Sequence, residues 1–198
     1  MKNIMTIALL LLFVNTCFAQ AGDAYTTSIK AYQKTYATDH EVVKGKDKKY
    51  FRFFPADSTY KVICTFEPLY DTTGFSMKTS ANTLKYFTRY GRISFSVNDT
   101  PCQLFLYRSK DPQVQLAYKD LLFLPFTDAT TGDESYGSGR YIDLSTTDVK
   151  DNTILVDFNK AYNPYCAYAT GFKCPIPPKE NQLEVYIKAG EKTFGKAH

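Results

Sequence analysis

The side chains best equipped for chemistry are gathered in two polar stretches, residues 124–141 and 157–181. Arg140 offers a rigid fork of donors for a carboxylate or phosphate. Asp128, Asp157 and Glu180 supply carboxylates for acid/base work, and Cys166 a thiol that a nearby guanidinium could hold as thiolate. Tyr136, Tyr162 and Tyr168 add aromatic faces, and Asn159, Asn163 and Asn181 fixed hydrogen-bonding groups. Histidine is nearly absent, because 198 residues hold only His40 and His198. A Ser/His/Asp triad, a multi-histidine zinc site or a Cys/His nucleophile pair would have to recruit one of these two. Tyr136-Gly-Ser-Gly-Arg140 is not a phosphate loop, since it lacks the Walker lysine and the glycine spacing. No cofactor or metal motif stands out. The gap between Cys166 and Cys174 is wrong for a zinc knuckle, and the pair can be a disulfide, two thiols or, least favoured, metal ligands.

These stretches must be held by a β framework. Tyr25, Ile29, Tyr32 and Tyr36 recur at three and four, which predicts one amphipathic helix over 23–38. Beyond Lys49 the period is two. Strands are expected at 50–54, 60–67, 74–78, 84–90, 92–97, 103–108, 139–144, 153–159 and 183–188. Asn98-Asp-Thr-Pro101 reads as a hairpin turn, and Tyr90-Gly91-Arg92 as a reversal or bulge. The fold class is therefore mainly β: an antiparallel β sandwich or partly closed barrel with one N-terminal helix and long motif-bearing loops. In the strand 153–159, Asp157 and Asn159 project away from the apolar face. If that strand pairs with the one begun by Arg140, the guanidinium reaches Asp157 as an ion pair. On the sharper reading, Asp128, Tyr136, Arg140, Asp157, Asn159, Tyr162, Asn163, Cys166, Glu180 and Asn181 line one ligand pocket. On the plainer reading, they staple two long loops to the barrel.

The N-terminus carries a second signal. Lys2, the apolar run Ile7 to Val14 and the small residues at Cys17 and Ala19 predict a signal peptide over 1–19, cleaved after Ala19; a lipoprotein acylated at Cys17 is the less favoured alternative. The apolar run is shorter than a membrane span. The expected location is periplasmic or extracellular, with 20–198 forming a single domain. Export removes Lys2 and Cys17, so the charge of 24 cations minus 20 anions falls from +4 to 23 minus 20, or +3, and four cysteines remain. Cys64 and Cys102 fall on apolar faces of strands. The small net charge, with no aromatic pattern around the Lys44–Lys49 run, argues against nucleic acid.

The two polar stretches resemble domain-of-unknown-function family 1684 of bacteria and archaea. The matching residues are Phe126, Asp128, Thr130 and Gly132; then Tyr136, Gly137, Gly139, Arg140 and Tyr141; then Asp157 to Ala167 and Cys174 to Asn181, with Ala189-Gly-Glu-Lys192 closing. Ser135 stands where a threonine is more usual, which keeps the hydroxyl. The similarity extends upstream through Phe53–Asp57 and Phe75–Ser80, but it implies no activity, since the family is named for lacking one. The leading expectation is an exported protein that binds a small polar or anionic ligand. An enzyme working through carboxylates or a Cys166 thiolate, and an envelope protein with no small-molecule site, are the alternatives. Protein partners are left open by the sequence.

Overall fold

In a computed structural model, residues 24–196 are described; the expected signal peptide lies outside them. Helix α1 spans residues 24–39. Strands β1 (Lys61–Pro68), β2 (Phe75–Lys78), β3 (Leu84–Val97) and β4 (Thr100–Ser109) follow. A short helix α2 (Pro112–Ala117) precedes β5 (Leu121–Phe126), β6 (Arg140–Ser145) and β7 (Thr153–Asp157). The strands form one antiparallel sheet in the order β6-β5-β4-β3-β1-β7, with β2 added to the first half of β3. The sheet curls into a partly closed barrel, as its alternation predicts, with β6 and β7 at its two edges.

Local chemistry explains the curl. Asn98 and Asp99 both adopt positive φ, the two-residue turn that matches strand twist, and join β3 to β4. The sequence 90–92 makes a bulge and no reversal, so the two strands expected at 84–90 and 92–97 are one 14-residue strand. Phe66 lies over Gly91, where an added Cβ would stand 2.2 Å from the ring. Bulge and ring together bend β3, so that β2 pairs with one half of it and β1 with the other.

Inside the curl, alternate residues of every long strand meet in one core that includes Cys64, Ile93, Leu104, Leu122, Leu124, Ile142 and Val156. Cys64 and Cys102 are buried free thiols there. The C-terminal segment passes into the same core with Leu183, Ile187 and Ala189, which plugs the barrel. This segment is not the strand expected at 183–188. Leu183 N–H bonds to Thr127, and the carbonyls of Ile187 and Ala189 are taken by Arg140. The strand expected at 50–54 is likewise absent. A 3₁₀ turn, Gly45–Tyr50, precedes a single bridge between Phe53 and Glu191. β7 stops at Asp157 because its carboxylate accepts from Asn159 N–H and starts a 3₁₀ turn, Phe158–Lys160.

β5 is a strand that the alternation alone did not mark. Pro125 cannot donate to a ladder, and β4 and β5 pair directly only at Tyr107 and Phe123. Beyond that point Asn181 stands in for the missing rungs. Its amide donates to the carbonyls of Phe105 and Pro125, and its oxygen accepts from Phe105 N–H. Helix α1 lies across the opening between the barrel edges. Ile29 is buried, Tyr25 donates to Asp157 at 2.9 Å, and Tyr32 reaches Lys160 O.

Candidate functional site

The polar motif residues come together mostly as internal stitching. Arg140 is 1% exposed and its guanidinium is encircled. It pairs with Asp128 at 2.5 Å, donates to the carbonyls of Ile187, Ala189 and Glu191, and lies near the rings of Phe54 and Phe126. Burial pulls its pKa below the ordinary arginine value, and the Asp128 carboxylate opposes that. The ion pair anticipated with Asp157 is not formed, because β6 and β7 are opposite edges of the sheet and do not pair. Asp157 instead accepts from Tyr25 and from the Asn159 side chain.

The remaining motif groups are similarly engaged. Asn159 also holds the backbone of Asp57 through both its N–H and its carbonyl. Glu180 takes a bidentate pair from Arg89 at 2.9 and 3.0 Å and a bond from Tyr107, while Arg89 stacks on Phe75. Tyr136 donates to Cys166 O. Asn163 N–H bonds to Glu191, a fully buried carboxylate that also accepts from Tyr36 and Tyr168. Burial raises Glu191 to about 7. Next to this group His40 packs on Tyr168, with ring centroids 4.6 Å apart. Its Nδ1 accepts from Val42 and Val43 N–H, and burial beside Lys44 and Lys48 lowers it to about 4.

Cys166 and Cys174 form a disulfide, Cα atoms 6.3 Å apart, that closes the loop between them. In that state neither sulfur is a nucleophile. A loop this short corresponds to about 2–3 kcal/mol of stabilisation by chain entropy. A thiol-free reductant is therefore expected to lower the melting temperature, and the double substitution Cys166→Ala/Cys174→Ala should reproduce the drop and abolish its response to reductant.

One open concavity lies outside the barrel, over the outer face of β3 to β6. It is a groove of about 1200 Å³. Its floor is Phe87, Phe123, Tyr141 and Asp143; Tyr36, Tyr162 and Tyr165 form one wall and the α2 region, from Lys110 to Tyr118, the other. Lys85, Arg108, Lys110 and Lys173 bring positive charge to it. Of the ten residues singled out from sequence, only Tyr162 lines this groove, with Cys174 in its wall. A second, smaller groove of about 830 Å³ follows the gap between β6 and β7 and includes Asp157. Tyr32, Asp143 and Tyr162 line both.

Asp143 is the residue that sequence reasoning missed. It is exposed to the grooves yet crowded sideways by rings. Phe123 is its cross-strand partner, Tyr141 sits two residues before it on the same face, and Tyr162 donates to it at 2.9 Å. This crowding raises its pKa, partly offset by the Tyr162 bond, while burial and the nearby carboxylate push Tyr162 well above the usual tyrosine value. The alternation of β6 placed Asp143 on the face away from the core, but nothing in sequence says that this face is roofed by aromatic side chains. Among the described residues, no group of His, Cys, Asp and Glu could hold a metal ion, and no helix is long and apolar enough to cross a membrane.

Fold and site together define a plugged, partly closed β-barrel with an aromatic groove on its outer surface. Residues 47–192 match the family described as "Protein of unknown function (DUF1684)", and the chain belongs to it. The solution NMR structure of the uncharacterized protein from gene locus rrnAC0354 of Haloarcula marismortui is similar, at 29% identity and a TM-score of 0.64, over 88% of this chain and 97% of that one. No curated protein matches.

Proposed function

We propose that this is an exported binding protein that holds a small ligand with a flat apolar body and an anionic group in the outer groove. The observation that carries the reading is the groove itself: about 1200 Å³ of open space walled by aromatic rings and bordered by Lys85, Arg108, Lys110 and Lys173. Such a site matches the usual form of a ligand pocket, apolar walls with a few placed polar groups. The barrel interior is occupied by Leu183, Ile187 and Ala189 of the C-terminal segment. Export is supported by the N-terminal pattern and by the Cys166–Cys174 disulfide, a bond that persists in oxidising compartments. Of the motif residues, Tyr141, Tyr162 and Tyr165 line this groove, whereas Asp128, Arg140, Asn159, Asn163, Glu180 and Asn181 do not and make the internal hydrogen bonds described above.

The test uses 1-anilinonaphthalene-8-sulfonate, an aromatic anion whose fluorescence rises in apolar surroundings. Saturable one-site binding is expected, weakened by Arg108→Ala and by Lys85→Ala. It should be lost in Ser109→Trp, which fills the groove from its β4 side without altering the barrel core. Absence of saturable binding, or binding indifferent to Ser109→Trp, would overturn the reading.

A further inference from the structure

We infer that the Asp143 end of the groove is a subsite for an organic cation, an ammonium group held against a carboxylate and among aromatic faces. This rests on the groove being a ligand site and names a second chemical feature of its ligand, which is then zwitterionic: ammonium at Asp143, anion toward the lysines and Arg108.

Three independent features point there. First, among the described residues Asp143 has no cationic partner. No ion pair includes it, although the chain carries 24 lysines and arginines against 20 acids. Its one side-chain hydrogen bond is from Tyr162. Lys160, which lines the second groove, rests over the Tyr32 ring at 5.5 Å and does not pair with Asp143. Second, the rings around the carboxylate present more than one face. Tyr141 and Tyr162 meet at 90° with centroids 5.8 Å apart, and Phe123 meets Tyr141 at 72° and 4.8 Å. Perpendicular rings form the corner of a cage, and ring faces attract cations, most strongly where water is excluded. Third, the carboxylate is reachable. It is exposed, and it lines both grooves.

These features separate Asp143 from the other carboxylates of the motif region. Asp128 and Glu180 are already neutralised by Arg140 and Arg89, Glu191 is enclosed, and Asp157, though also without an ion pair among the described residues, is occupied by the Tyr25 hydroxyl and by the backbone and side-chain N–H of Asn159. A carboxylate crowded by rings is raised in pKa when alone. A bound cation would reverse that and hold it ionised.

The probe is choline, compared with its uncharged carbon isostere 3,3-dimethylbutan-1-ol, each followed by calorimetric titration of the oxidised full chain. Choline is expected to bind about tenfold or more tightly than the isostere, the scale of a ring-caged, charge-paired cation. Asp143→Asn keeps the acceptor for Tyr162 and should cost about tenfold or more in choline affinity. Tyr162→Phe removes the same hydrogen bond but keeps the charge, and should cost about threefold or less. Equal binding of choline and isostere overturns the inference, as does equal loss in the two variants, which marks a structural bond only. If the dye binds and choline does not, the cation subsite fails and the groove stands. If neither binds, both fail.

Discussion

Arg140→Ala is expected to destabilise the protein by about 3–5 kcal/mol, the cost of removing one member of a buried ion pair. Asp128 would then be a buried carboxylate with no cation. Its bonds from the Thr130 N–H and hydroxyl would remain, but the group facing Oδ2 would be gone. The loss should fall toward the upper end of that range, because Arg140 also binds the carbonyls of Ile187, Ala189 and Glu191. Those bonds tie down the segment that plugs the barrel, in place of a neighbouring strand. A buried ion pair can often be exchanged for apolar residues at little cost. Here Arg140→Met with Asp128→Leu should fail to restore stability, since three backbone carbonyls would be left without donors. Chemical denaturation of the wild type, the single variant and the double variant measures this. A double variant as stable as the wild type would show that the guanidinium serves only to neutralise Asp128.

Glu191→Gln is expected to stabilise the protein increasingly as pH rises, from no effect near pH 4 to about 3 kcal/mol near pH 8. The folded carboxyl is raised to about 7 from 4.5, chiefly by burial. An acid raised in the fold binds its proton more tightly there than in the unfolded chain. Its contribution is therefore complete below pH 4.5 and lost as pH rises through 7, at about 1.4 kcal/mol for each pH unit between those two values. The amide mimics the protonated acid, so it escapes that loss, and the Tyr36 and Tyr168 hydroxyls can turn to accept from it. His40 acts in the opposite direction. Lowered from 6.5 to about 4, it contributes stability present above 6.5 and lost as pH falls through 4. The two slopes oppose each other between pH 4.5 and 6.5. Wild-type stability should therefore vary little from these two groups in that window, while Glu191→Gln exposes the histidine slope on acidification. Denaturation midpoints of both proteins from pH 4 to 8 provide the check; a constant difference across the range would sink the assignment.

Both predictions concern residues whose types mark them as reactive and whose surroundings make them structural. The sequence alone does not separate these. An Arg, an Asp and an Asn in glycine- and proline-rich loops read the same whether they face a ligand or a row of backbone carbonyls. Asn181 shows why: its work lies between β4 and β5, more than fifty residues away along the chain. The same limit explains Leu183 and Ile187. Their alternation resembles a strand, and their burial follows from it, but whether their carbonyls meet another strand or a guanidinium depends on what lies opposite.

What the residues determined by themselves is what local patterns can carry. The period of two beyond Lys49 fixes a β framework; the spacing of Tyr25, Ile29, Tyr32 and Tyr36 fixes the helix and the face it buries; and Asn98-Asp99 fixes a hairpin. The long motifs fix membership of the family. Each of these rests on contacts within a few residues or on the regular geometry of one element. The tertiary structure decided the rest: that β6 and β7 end as opposite edges, that Arg140 therefore meets Asp128 instead of Asp157, and that the barrel interior is plugged. It also decided that the open space lies outside, where Asp143 stands among rings contributed by β5, β6 and the loop after β7, with no cation paired to it among the described residues. Those outcomes depend on strand order and on which faces two sheet edges turn toward each other, and neither is written in the period of any single segment.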